Sequence, residues 1–307
     1  MTRRVSFYGL LGLMAACGAM VAMGNLDTDI SLESARQIWA DVLRDVDEFG
    51  LHATRIPAHK EMELGAQMAR EIAAWGPEDP EAGRYVNAVG QGLLANVNRK
   101  AIRYQFHVIK SPAINAFALP GGQIYVLSGM LDFLHSEAEL AQILGHEISH
   151  VDLRHCVERY QYQLALKKIG AGEAAPLVEI AHGLVAIGYS QDQESEADAS
   201  GERLAIEAGY DPDAAVTVFH RMKTTFGETA PEPAKTPLGE AGQVVGGAIV
   251  SYFRTHPPSA ERARQLSEMV AANHRRLAGH IVYRGVTNFR QRVAWSEHEF
   301  PAEKHVY

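Results

Sequence analysis

Cysteine is nearly missing from this chain: Cys17 and Cys156 are the only two in 307 residues. That excludes a disulfide framework and a thiolate-based metal cluster, so any metal must sit on histidines and carboxylates. Positive charge is short as well, with 29 Lys and Arg against 37 Asp and Glu for a net charge of -8, and no nucleic-acid partner is expected. Long apolar runs are limited to one near the N-terminus. With 47% hydrophobic and 21% charged residues, the rest has the balance of a globular chain and not of a disordered or polytopic one. The length suits one large catalytic domain or two average ones. Histidine is the residue in supply, with 14 copies.

Arg3 and Arg4 precede the apolar run from Val5 to about Met23. This reads as a secretory signal over residues 1–24, with small residues near Ala22 and Gly24 for cleavage. Two alternatives stand beside it: Ala15-Ala16-Cys17 as a lipoprotein site ending before Cys17, and an uncut anchor, since the run is just long enough to span a bilayer. The expected location is outside a bacterial cytoplasm, in the periplasm or on the periplasmic face of a membrane, with lipid anchoring through Cys17 as one route.

Helical periodicity predicts helices at about 31–49, 58–75 and 81–97. The period then changes to strict alternation over residues 103–108, followed by apolar pieces at 114–119 and 123–127 around the turn Pro120-Gly121-Gly122. Ser136 with Glu139 is a capping box that opens a helix expected to run to about Tyr160. Further helices are expected at about 191–208, from Asp211 or Asp213 to about Thr225, and after Ser259, with an aperiodic loop at 227–247. The class is α+β, mainly helical, with a small sheet of about three strands. One domain over 25–278 and a C-terminal tail at 279–307 complete the plan.

His146-Glu147-Ile148-Ser149-His150 carries the chemistry. Histidines at i and i+4 lie about 40° apart on a helix with one turn of rise between them, so both imidazoles reach one ion at roughly 2.0–2.1 Å. Glu147 falls beside them, where its carboxylate can take a proton from a metal-bound water. Glu194-Ser195-Glu196-Ala197-Asp198, in a separate predicted helix, offers a third ligand in Glu194. Asp198 lies one turn further, able to accept the outer ring N–H of a ligand histidine. The alternative for this stretch is a solvated acidic helix face. Arg154 and His155 read as surface or packing partners, and Cys156 as a buried small residue.

In order along the chain stand Asn115-Ala116-Phe117-Ala118-Leu119-Pro120-Gly121-Gly122, then the histidine motif with Arg154-His155, then Gly188-Tyr189-Ser190 before Glu194 to Asp198. This order resembles the gluzincin metallopeptidases related to the CAAX prenyl endopeptidase, and more closely their soluble exported bacterial branch. The resemblance covers roughly residues 55–265 and implies a zincin catalytic domain with one zinc ion per chain. It implies His146, His150 and Glu194 as ligands, Glu147 as general base, and Asp198 as the hydrogen-bond partner of a ligand. It further implies that Asn115, Ala116 and Phe117 lie along an extended substrate, as a free strand edge physically can.

His256-Pro257-Pro258 and Arg262 also match a family motif near the metal. Either residue can stabilise the developing oxyanion, and His256 can instead occupy the open metal position in a latent form; a capping histidine is the third reading. The implied function is zinc-dependent endopeptidase action on unfolded or misfolded envelope proteins, with possible membrane association and no oligomeric state specified. The alternative is a chaperone-like module that holds such chains with its zinc latent.

Overall fold

The computed structural model describes residues 56–161, 188–226, 252, 256 and 260–307. The expected signal at 1–24, the helix at 31–49 and the loop at 227–247 lie outside the described residues. Helix α1 (Ala58–Ile72) buries Glu61, Gly65, Met68 and Ile72 along one face. Helix α2 (Pro80–Gly92) starts with proline at its first turn, and Asp79 caps it by accepting from the Glu81 and Ala82 N–H groups at 3.2 and 3.1 Å.

Strands β1 (Gln105–Ile109), β2 (Ala116–Leu119) and β3 (Gln123–Leu127) form one sheet in the order β1-β3-β2, with β1 parallel and β2 antiparallel to β3. The first strand lies within the alternating stretch, and the other two lie on the apolar pieces either side of the Pro120-Gly121-Gly122 turn. The turn at 120–122 needs its glycines: Gly121 has φ +78°, and a Cβ there would come within 2.5 Å of the Glu61 carbonyl oxygen.

After the short α3 (Ser128–Phe133) comes α4 (Glu137–Asp152), every residue of which is buried. Ser136 Oγ accepts from the Glu139 N–H, as the capping box requires, while Glu139 Oε2 accepts from the His135 N–H at 2.8 Å. The expected single helix to Tyr160 is two: the chain turns at Leu153 and Arg154, Arg154 adopts left-handed φ +74°, and helix resumes at 155–161. Nothing in the side-chain pattern announces this break, because a left-handed residue usually betrays itself as glycine or asparagine.

Helix α5 (Gln191–Glu207) starts with a reciprocal box between Ser190 and Gln193. Helix α6 (Asp213–Phe226) is capped by Asp211, whose Oδ1 accepts from the Asp213 N–H, and α7 (Ala260–Arg276) follows. The C-terminal tail is folded. Strand β4 (Ile281–Tyr283), helix α8 (Val286–Gln291) and strand β5 (Lys304–Val306) follow in order, with β4 antiparallel to β5. The Gly285 and Arg284 carbonyls accept from the Glu137 and Ala138 N–H groups at 3.0 Å each. These donors open α4 and have no partner inside the helix, so the tail supplies what the helix start lacks. One apolar core joins α2, the sheet, α4, α5 and α6; a second cluster fills the space between α1 and the opposite sheet face. Among the described residues no helix is long and apolar enough to cross a membrane.

Candidate metal centre and active site

Two glycines set the distance between the helices that carry the site. A Cβ on Gly145 of α4 would lie 2.6 Å from the Gly201 carbonyl oxygen of α5, and one on Gly201 would lie 2.6 Å from the His146 backbone nitrogen. The helices therefore touch backbone to backbone, and Glu194 is brought opposite His146 and His150. A glycine inside a helix costs about 1 kcal/mol against alanine, so two of them in predicted helices were the available sign of close approach.

His146, His150, Glu194 and His256 are buried, and one donor atom from each lies within 4.8 Å of the others. His146 Nε2 is 3.0 Å from His150 Nε2 and 3.1 Å from His256 Nδ1. Glu194 Oε1 is 2.9 Å from His256 Nδ1 and 3.6 Å from His150 Nε2. Donors held about 2.0–2.2 Å from a tetrahedral ion stand about 3.4 Å apart, so these separations fit a metal of the zinc type. The electrostatics fit as well. Burial works against charge at His146, yet Asp198 and Glu194 push its pKa up to about 10. Burial would raise Glu194, but Arg262 and His256 hold it well below the usual carboxylate range. Burial and the neighbouring His146 drive His150 well down, leaving it a neutral imidazole with a lone pair. A buried carboxylate and three imidazoles converging on one point are a donor set that suits a cation at its centre.

Glu147 is fully buried, and neither of its oxygens has a hydrogen-bond partner. His256 Nε2, likewise without one, stands 3.3 Å from Glu147 Oε1. Burial raises the Glu147 pKa against the pull of His256 and His146. The remaining predicted residues are placed as follows. Asp198 Oδ1 meets His146 Nδ1 at 2.8 Å, and both Asp198 oxygens accept from Arg262 at 2.9 Å. Arg262 also reaches Glu194 Oε2 at 2.8 Å and the His256 carbonyl at 3.3 Å, so its guanidinium is engaged on all sides. Asn115, Ala116 and Phe117 are buried at the start of β2, whose one sheet neighbour among the described residues is β3. The Tyr252 N–H donates to the Ile114 carbonyl at 2.9 Å, just before that strand.

Two contacts at His150 were not foreseen. Tyr189 stacks on its ring with centroids 3.6 Å apart and planes 13° apart. His155, expected on a surface or in packing, is buried with its Nδ1 3.0 Å from His150 Nδ1.

Comparison with known proteins adds to this geometry. The model of the family described as peptidase family M48 matches residues 80–270. Mitochondrial metalloendopeptidase OMA1 of Schizosaccharomyces pombe is 32% identical over 191 residues, 60% of this chain and 52% of that protein. The beta-barrel assembly-enhancing protease of Escherichia coli is 29% identical over 228 residues, covering 66% and 46%. Metalloprotease YcaL of Escherichia coli is 25% identical over 261 residues, covering 80% and 89%. The chain thus spans about half the length of the first two of these relatives and most of the third.

Proposed function

The chain belongs to peptidase family M48, and on that premise we propose that it is a zinc-dependent endopeptidase. One observation carries the proposal: four convergent metal donors lie beside a buried Glu147 whose oxygens are bound by no donor. Two imidazoles and a carboxylate are the catalytic zinc pattern, with His146, His150 and Glu194 as ligands. A zinc ion held there supplies Lewis acidity at a peptide carbonyl and at the attacking water. Glu147, beside the donor set, would take the proton from the attacking water and deliver it to the departing amide nitrogen. Asp198 orients His146, and Arg262 holds Asp198 and Glu194 in place. An extended substrate pairs with the outer edge of β2 at Asn115, Ala116 and Phe117.

His256 and Tyr252 favour a latent form of this enzyme. His256 Nδ1 lies in the donor set, and the His256 N–H donates to the Tyr252 carbonyl, whose own residue is bonded at Ile114. His256 fills the fourth donor position and Tyr252 is bonded just before β2, so turnover requires these two residues to move. A chaperone-like binder is the same arrangement with that movement suppressed.

Residues 25–278 form the peptidase domain of the proposal, with 279–307 folded against it. The basic and apolar start of the chain and its similarity to beta-barrel assembly-enhancing proteases support an exported enzyme acting on unfolded or misfolded envelope proteins. The motif order at 115–122, 146–150 and 188–198 supports kinship with the CAAX prenyl endopeptidase. The test is metal analysis of purified chain with a casein cleavage assay. About one zinc per chain and chelator-sensitive cleavage are expected; a metal-free chain, or cleavage untouched by chelator, overturns the proposal.

A further inference from the structure

The two proposed ligand histidines are held by their outer nitrogens in different ways. His146 Nδ1 meets the buried carboxylate of Asp198 directly. His150 Nδ1 meets no carboxylate. It meets His155 Nδ1 at 3.0 Å, and His155 Nε2 lies 3.2 Å from Glu196 Oε2, on a side chain 51% exposed. We infer that His155 is a positioning residue of the metal centre, with Glu196 as its anchor, and that together they set the ring orientation and tautomer of His150. The inference rests on the metal-site reading above.

Hydrogen-bond accounting fixes the direction of the chain. His150 Nε2 faces His146 and Glu194, so it is the nitrogen that must offer a lone pair to a metal. A neutral imidazole carries one hydrogen, which is therefore on His150 Nδ1 and must be donated. His155 Nδ1 is the acceptor, which puts the single hydrogen of His155 on Nε2, facing an ionised carboxylate that can only accept. Every proton in the series is displaced towards Glu196, and each donation makes the next ring a better electron donor, ending at His150 Nε2.

The backbone is shaped to deliver this contact. The left-handed Arg154 ends α4 and turns the chain so that residue 155 returns beneath the helix it has just left. A continuous helix would place residue 155 about 140° around the axis from residue 150 and on the next turn, away from the ligand ring. Tyr189 covers the face of His150 while His155 holds its edge, at 5.2 Å between centroids and 64° between planes. The ring is thus restrained in both the rotations open to it.

The experiment measures zinc affinity by chelator competition in the full chain, with thermal unfolding of the metal-free protein alongside. His155→Phe keeps a ring and removes both nitrogens; His155→Gln restores an acceptor and a donor. His155→Phe is expected to weaken zinc binding by about 10–100-fold, with His155→Gln recovering most of the loss and the metal-free melting temperatures of the two variants agreeing. Zinc binding by His155→Phe equal to wild type overturns the inference. So does a loss that His155→Gln fails to recover, since that marks packing and not hydrogen bonding. If wild type itself binds no zinc, the metal-site reading falls and takes this one with it, an outcome distinct from the other two. In the zinc-loaded protein, nitrogen NMR is expected to find hydrogens on His150 Nδ1 and His155 Nε2; the reverse tautomers overturn the proposed direction.

Discussion

Glu137 and Glu147 lie in the same helix, α4, and both are fully buried, yet their surroundings are opposite. Glu137 accepts from the Tyr85 hydroxyl at 3.0 Å, the Tyr210 hydroxyl at 2.8 Å and the Trp295 N–H at 2.8 Å. Glu147 has no well-formed hydrogen bond: His256 Nε2 stands 3.3 Å away, and the Ala118 backbone favours its charged form only weakly. Burial raises the pKa of both. A buried carboxylate without donors is costly, by roughly 1–3 kcal/mol or more, and folds keep such costs where chemistry requires them. The contrast separates a carboxylate whose lone pairs are committed to holding α2, the turn after α5 and the C-terminal segment together from one whose lone pairs are available to a proton.

The largest effect that tests this contrast is at Glu147. Glu147→Gln is expected to keep zinc and to lose about 10²–10⁴-fold in hydrolysis, read by cleavage rate against metal content. Activity within a few-fold of wild type would break the comparison at its functional end. At the structural end, Glu137→Ala leaves two tyrosine hydroxyls and one backbone N–H without their acceptor. A loss of about 3 kcal/mol or more in denaturant unfolding is expected, with specific activity per folded molecule unchanged. A neutral Glu137→Ala would mean that water replaces the carboxylate.

Glu202 stands between these two extremes, with one donor, the Asn273 amide at 2.6 Å. Burial pushes its pKa up to about 7. Between its ordinary value and that pKa the folded state retains a proton that the unfolded state releases, so the group lowers stability progressively as pH rises through this window. Above pH 7 the cost is fully present. Glu202→Gln is therefore expected to stabilise the protein by about 1–3 kcal/mol at pH 8 and hardly at all below pH 4.5, measured by unfolding at the two pH values. An equal gain at both would show that ionisation is not the cause.

The smallest expected effect is at His256, whose Nε2 stands 3.3 Å from Glu147. His256→Ala should raise cleavage severalfold, about 1 kcal/mol or less, because it clears the fourth position beside the three proposed ligands. A fall of about ten- to a thousandfold with zinc retained would assign His256 to the oxyanion instead. No change in cleavage or zinc affinity would leave it a capping histidine.

How much of this was legible in advance depended on sequence distance. The three strands, the turn at 120–122 and α4 to α6 follow from periods and caps that span four residues or fewer. His146, Glu147 and His150 were legible for the same reason, as was the face shared by Glu194 and Asp198. Glu137 was not legible at all, because its partners at 85, 210 and 295 share no local pattern with it. The break before His155 was missed because arginine carries no mark of the left-handed conformation it adopts there.

The sequence by itself determined which side chains can act on a metal and a proton, because a helix converts the spacing i, i+4 into one face without help from the rest of the chain. Only the tertiary structure decided that these pieces meet. Gly145 against Gly201 brings Glu194 to the two histidines, the tail satisfies the start of α4, and Arg154 folds His155 back under His150. Such distances are set by packing between segments far apart in the chain. They are closed by shape and burial and not by any repeat a reader can count.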